Sequence, residues 1–346
     1  MTTRPAERRL QLAALVAVTL GLVLVPAFCP SFLVYQLSVA LTYAIAILGL
    51  NLLMGFNGQI SVAQGVFFAL GAYATAIFAT RYGFGYLATL PVAVAISALV
   101  GLLIGVPALR MQGLPLAFMT LGLAVLVPPL ALKLDEITKG ASGISFPKPA
   151  APAWFPGNQD TFLYEACLLG AAACVWIARR LLSGDTGRAL RAVRDNALIA
   201  ESLGINLTAV RLFAFTMSAA FAGFAGWLFA LVNGFVSPES FQMTVSFNFL
   251  AGAIIGGITS ISGALIGALF ITFIPDWASE INLAMSGIIY GGCLVVMMLV
   301  ARDGVAGLAR QGYARLRPHL FGRDDGASSQ PREAALQKTV STTVST

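Results

Sequence analysis

FLAGAIIGGITSISGALIGALF, residues 249–270, is an uncharged and largely apolar run broken near its middle by Gly256, Gly257, Ser260, Ser262 and Gly263. A glycine costs a helix interior about 1 kcal/mol relative to alanine, so the stretch predicts two helical segments joined at a break. Backbone that leaves the helix at membrane depth is tolerated only against protein or a water-filled cavity. The surrounding chain supports that depth. Hydrophobic residues are 58% of the 346 and charged residues 10%, with mean hydropathy +0.84, whereas soluble domains run at roughly 45–50% apolar and about 25% charged.

A hydrocarbon core about 30 Å thick needs about 20 consecutive apolar residues. Such runs fall near 10–28, 32–54, 60–80, 84–108, 114–133, 161–182, 210–232 and 281–301, with the broken stretch at 246–275. The expected fold is an all-α, polytopic transmembrane bundle of about eight full spans plus a broken, re-entrant helix pair. A single soluble core is excluded. Residues 1–9 then form a cytoplasmic N-terminus and 10–301 the membrane domain. The tail 302–346 is cytoplasmic, with disorder from about residue 322, where the chain turns polar and loses periodicity. Arg4 to Arg9 and the run from Leu10 to Phe28 look like the first parts of a signal peptide. That run exceeds the usual apolar length of about 7–15 residues and lacks an A-x-A site, so an uncleaved first span is expected.

Charge tests this topology. Of the 21 Lys and Arg, only Arg81, Lys133, Lys139 and Lys148 fall on the outer side, provided the tail is cytoplasmic. Basic residues concentrate in cytoplasmic loops. The tail reaches that side only if 246–275 enters and returns to the same face, as a broken pair does. The net charge of +6 is thus explained by orientation in a lipid bilayer, and no nucleic-acid partner is expected. The outer loop 134–160 is rich in Gly, Pro, Ser and Lys and is expected to be an ordered cap or docking surface, since loops this long are commonly functional.

The predicted spans hold almost no titratable groups. Glu165, beside Asp160, is the deepest acid, which disfavours a proton-coupled carrier; sodium coordination by backbone and hydroxyl oxygens stays open. No GxxxxGK[ST] phosphate loop occurs. Cys29, Cys167, Cys174 and Cys293 sit in apolar stretches without metal-ligand spacing, and the lone His319 lies in the tail. No catalytic residue, metal or cofactor is therefore expected in this chain.

A second polar break lies at LNLLMGFNGQISVAQGVFFALGAY, residues 50–73. Paired interruptions point to a substrate path, because amides are expensive in a membrane interior unless paired. The pairs Gly101/Gly105, Gly263/Gly267 and Gly287/Gly291 have the small-xxx-small spacing of close helix packing.

The remaining informative segment is the cytoplasmic loop 183–209, with SGDTGRALRAVRDNALIAESLGIN at 183–206. It predicts one amphipathic helix. Asp185 or Thr186 can cap it, Leu190, Val193, Ala197 and Ala200 share a face, Arg191 can pair with Asp195, and Gly204 stops it. Such a helix suits a groove in a partner protein. A helix lying on anionic lipid headgroups through Arg188, Arg191 and Arg194 suits the residues equally well.

ALIAESLGIN, with Asp195, Asn196, Ala200, Glu201, Gly204 and Asn206 in matching places, resembles the coupling segment of the permeases of branched-chain amino acid ABC importers, in particular their LivM-type subunits. GLNLLMGFNGQISVAQGVFFALGAY, TKGASGISFP, FVSPESFQMTVSFNFLAGAIIGGITSISGALIG and IIYGGCLVVMMLVARDGVAGL are similar to the same family, in order, over about residues 35–310. Departures are Ala197 and Ile199, commonly Glu and Ala, and Ala63 with Gln64, where a Gly-His or similar pair is usual. The resemblance implies a bacterial inner-membrane importer built from this chain, a second, LivH-like permease, two ATPase subunits that use ATP, and an external substrate-binding protein. Arg188, Arg191, Arg194, Asp195, Asn196, Ala200, Glu201 and Gly204 would then couple to the ATPase. Asn57, Gln59, Ser61 and Gln64, with Ser246, Asn248, Thr259 and Ser260, would by position line or gate the translocation path. The cargo stays open among branched-chain amino acids and, in the same architecture, urea, short amides, aromatic acids or sugars.

Overall fold

The computed structural model describes residues 25–307 apart from 27–28, 112, 153–154, 156, 283–284, 301–303 and 306. The N-terminal segment 1–9, nearly all of the expected span 10–28 and nearly all of the tail lie outside the described residues. The helices are α1 (Ser31–Leu50), α2 (Gln64–Arg81), α3 (Tyr86–Ala108), α4 (Leu114–Lys133), the single turn α5 (Asp135–Thr138) and α6 (Gln159–Ser183). They continue with α7 (Asp185–Asp195), α8 (Ala197–Ser202), α9 (Leu207–Asn233), α10 (Met243–Gly256), α11 (Ile261–Ile281) and α12 (Ser286–Val300). A π-helical turn, Asn51–Phe56, extends α1.

Six helices among the described residues are long and apolar enough to cross a membrane: α1 with its π turn, α3, α4, α6, α9 and α11. The expected count of about eight is not confirmed, and its first member, 10–28, lies almost wholly outside the described residues. The run read at 60–80 is the helix α2, which falls outside the six, and the run at 281–301 is the shorter apolar helix α12. Helix α2 is buried along most of its length, with Phe67, Phe68, Ala72 and Ala76 almost wholly covered. A helix wrapped by other helices is shielded from lipid and can carry Gln64, Thr75 and Tyr73.

Helices α1 and α9 form the axis of the bundle. Their apolar core segments are 83% and 78% buried, against 22% for each of α3 and α4, which present Leu99, Leu103, Phe118 and Val125 outward. Close approach at this axis uses small residues. A Cβ on Gly71 would overlap the Gly223 backbone, and one on Gly226 the Phe68 carbonyl, so α2 and α9 meet backbone to backbone. Gly101 and Gly105 of α3 seat Ala219 and Leu212 of α9, as their spacing suggested.

The broken stretch is a hairpin, turned at Gly257 (φ 104°) and restarted by Ser260, whose Oγ accepts from the Gly263 N–H at 3.2 Å. Gly252 packs on Gly267 and Gly256 on Gly263, so α10 and α11 run antiparallel. The expected pair of short re-entrant helices is corrected here. Helix α10 has 14 residues, but α11 has 21, about 31 Å at 1.5 Å per residue. The reason is that the helix does not stop where the apolar stretch ends: Pro275 is accommodated inside it, and it continues through Asp276 and Glu280.

The connecting segments sort to two ends of the bundle. At one, Ile144–Ser145 pairs antiparallel with Phe235–Val236, the Tyr86 hydroxyl donates to the Pro147 carbonyl at 2.6 Å, and Gln36 donates to Asp276 at 2.5 Å. Loop 134–160 is pinned there, with Ile144 and Phe146 buried. At the other end lie the π turn, the loop 183–209 and the hairpin tip.

The glycine packing yields a direct comparison. Gly267→Leu puts bulk against the Gly252 backbone, whereas Gly287 has open space around it. Overpacking costs about 1–3 kcal/mol. Thermal unfolding in detergent should show a clear drop in Tm for Gly267→Leu and none for Gly287→Leu; equal Tm values for both would refute the packing assignment.

Candidate functional site

The loop 183–209 folds as two helices, α7 and α8, and this corrects the single helix expected there. Asn196 is extended (φ −157°, ψ 104°), and its side-chain oxygen accepts from the Ile199 N–H at 3.2 Å. Asparagine competes for backbone groups in this way and starts a helix more readily than it continues one. Other local expectations also change. Gly184 occupies the N-cap of α7 without a side-chain bond, and Asp185 instead pairs with Arg188 at the surface. Arg191 donates to the Leu182 carbonyl at 3.2 Å rather than to Asp195. Gly204 ends the segment with φ 83°, a left-handed conformation that glycine adopts without steric cost.

Leu190, Val193 and Ala200 are buried as the periodicity indicated, while Ala197 is half-buried. Beyond the break, Leu198, Ile199 and Leu203 are 79%, 57% and 74% exposed. The face shared by Leu190, Val193, Ala197 and Ala200 leaves these three side chains off it, so the patch follows from the same periodicity although the sequence reading did not single it out. Exposed apolar side chains grouped on a polar loop mark an interaction surface.

Arg194 is exposed, but its guanidinium reaches back to the bundle. Its Nη1 donates to the Gly55 carbonyl at 2.5 Å, and its stem lies over Gly58. Gly58 (φ 75°) terminates the π turn, with its N–H on the Met54 carbonyl and the Gln59 N–H on the Leu53 carbonyl. Asn57 donates to Gln59 Oε1 at 3.0 Å. These groups border a polar cavity of about 260 Å³ shared by Asn57, Gln59, Met111, Arg194, Asp195, Asn196 and Arg211. Two sets of residues singled out separately in the sequence therefore meet at one place.

The other path candidates go elsewhere. Gln64 is buried and donates to the Ala46 carbonyl at 2.7 Å and the Ser218 carbonyl at 3.4 Å, while accepting from Ser218 Oγ at 3.0 Å. Ser246 accepts from the Gly65 N–H at 3.2 Å and Ser61 from the Ala63 N–H at 3.3 Å, so all three hold the start of α2 in place. The bonds of Ser246 and Ser61 satisfy N–H groups that a helix N-terminus leaves without partners. Ser260 caps α11. Asn248 accepts from the Tyr290 hydroxyl at 3.1 Å, and Thr259 is exposed at the hairpin tip.

Asn51 and Arg211 were not singled out by sequence reasoning. Asn51 donates to the Ser260 carbonyl at 3.1 Å. The available signal was a lone amide inside an otherwise apolar run, at the start of the NLLMGF segment. Arg211 reads from sequence as one more basic residue at a span end. Cys167 and Cys174 are buried thiols on α6, and no grouping of metal-ligating side chains occurs among the described residues.

The loop 183–209, the two polar breaks and the order of the helices between them all lie inside one region of established likeness. A profile described as "branched-chain amino acid transport system / permease component" matches residues 32–300. The chain is 36% identical to the high-affinity branched-chain amino acid transport system permease protein LivM of Salmonella typhimurium, over 79% of this chain and 69% of that protein. It is 35% identical to LivM of Escherichia coli over the same shares. LivH of Escherichia coli is 26% identical over 77% of this chain and 91% of its own length. No solved structure matches. A multi-pass helical bundle matched from its first described span to its last helix belongs to the family of permease components of branched-chain amino acid transport systems.

Proposed function

We propose that this chain is one permease subunit of a bacterial inner-membrane ABC importer and forms part of the translocation path for branched-chain amino acids. The observation that carries the reading is the family match over residues 32–300, which includes the loop 183–209 and both polar breaks. The likeness to both LivM and LivH supports a permease pair, with a LivH-like subunit beside this one. Two ATPase subunits and an external binding protein complete the assembly. ATP is used by the ATPases, and this chain holds no cofactor of its own. In this reading the chain makes eight passes, counting 10–28, α2 and α12, plus the α10–α11 hairpin, with both termini cytoplasmic.

Helices α7 and α8 dock into the ATPase. Leu198, Ile199 and Leu203 enter its groove, with Arg188 and Glu201 on the polar rim. Asp195, Asn196, Ala200 and Gly204 set the angle between the two helices, and Arg191 ties α7 back to α6. ATPase closure then moves this loop against the bundle and switches the path between outward and inward access. Asn57, Gln59 and Thr259 face that path near its cytoplasmic end. Ser61, Gln64, Ser246, Asn248 and Ser260 fix the helices around it.

Proteoliposomes containing this chain with a LivH-like permease, the ATPases and the binding protein should take up leucine, isoleucine or valine only when ATP is present. Uptake by this chain alone, driven by an ion gradient, would overturn the reading. A second measurement concerns docking. Leu198→Asp combined with Ile199→Asp should change stability by no more than a surface substitution does, about 0.5 kcal/mol. It should also weaken ATPase association by about 2 kcal/mol or more, roughly 30-fold in Kd. Unchanged association would remove α8 from the interface.

A further inference from the structure

The π turn Asn51–Phe56 stands between two elements that the chain keeps far apart. On one side, Arg194 of α7 donates to the carbonyl of Gly55, 139 residues away. On the other, Gly55 presses against the Ile258 carbonyl at the hairpin tip, where a Cβ would overlap it. One turn earlier, Asn51 donates to the Ser260 carbonyl at 3.1 Å, 209 residues away. The hairpin tip is closed from behind by Gly304, packed on Gly257. Gly55 thus contacts the coupling loop through its oxygen and the hairpin through its backbone.

We infer that the π turn is the joint through which displacement of the coupling loop reaches the α10–α11 hairpin, with Arg194 and Asn51 as positioning residues on its two sides. Three features support this role. A π turn holds one more residue than the α-helical turn it replaces, so reverting to α geometry rotates the downstream chain by about 100° and shifts it by about 1.5 Å. The two registers are discrete alternatives, as a switching element requires. Asn51 Oδ1 is buried without a partner, so the observed register leaves one acceptor unsatisfied and a second register has something to gain. The polar cavity of about 260 Å³ beside Arg194, Asn57 and Arg211 gives the guanidinium room to move.

This inference rests on the permease reading above, and its test separates the two. In the complete reconstituted transporter, Arg194→Gln keeps the stem over Gly58 but shortens the reach to the Gly55 carbonyl, and Asn51→Leu removes the link to Ser260 at similar volume. Each should lower substrate moved per ATP hydrolysed at least ten-fold, and the double variant should be no worse than the more affected single one. Spin labels at the exposed positions Ser202 and Thr259, each paired with one at Tyr82 in a background with Cys29 and Cys293 replaced by serine, report the motion. Both distances should change with ATP in the parent, whereas only the Tyr82–Ser202 distance should change in Arg194→Gln. Uptake and ATP hydrolysis falling together at a constant ratio would overturn the joint, as would a Thr259 distance that still changes. Absence of ATP-dependent uptake in the parent complex would overturn the permease reading itself.

Discussion

Helices in a bilayer gain little by burying apolar surface against one another, because lipid tails are as apolar as leucine. Close approach holds this bundle together, and glycine supplies it. The backbones of α2 and α9 touch at Gly71–Gly223 and Gly226–Phe68, and those of α10 and α11 at Gly252–Gly267 and Gly256–Gly263. Dispersion acts over short range and is lost when a gap opens. The remaining architecture depends on these contacts, including the burial of α1 and α9 and the outward display of α3 and α4.

Backbone close enough to touch also lets side-chain amides and hydroxyls reach across helices. Gln64 joins α1, α2 and α9 through Ala46 and Ser218. Ser246 of α10 reaches the first turn of α2, and Asn51 reaches the hairpin tip. The bonds of Ser246 and Asn51 satisfy groups freed where helices break, and a broken membrane helix needs such partners. The polar residues of the two breaks therefore divide into those that hold helix ends and those that border the cavity under α7, Asn57 and Gln59. The second group is the one placed to respond when a partner moves α7 and α8.

Several expectations met the structure unevenly, and the unevenness has one cause. The break at 256–260, the stop at Gly204 and the buried Leu190 and Val193 depend on local propensity and periodicity, and each was legible. Two of the three small-xxx-small pairs, Gly101/Gly105 and Gly263/Gly267, found close partners, whereas Gly287 and Gly291 face open space. The spacing alone carries no information about whether a neighbour exists. Arg191 and Arg194 read as surface charges for a partner or for lipid; both are exposed, and what the sequence did not show is that each also donates to a carbonyl, of Leu182 and Gly55.

The sequence by itself determined the membrane class, the position of the hairpin turn, the basic loop between α6 and α9 and, through its motifs, the family. Apolar run length, glycine cost and charge distribution are properties of short segments, so they survive without coordinates. Only the tertiary structure decided that Asn196 splits the loop into two helices. It also decided that α11 is long enough to span and that Gln64 and Ser246 serve a helix start. The meeting of Arg194, Gly55 and Ile258 at a π turn belongs to this second class too. The hydrogen-bonded partners involved lie 139 to 209 residues apart along the chain, and bonds of that separation are set by how glycine-paired helices stack rather than by any local pattern.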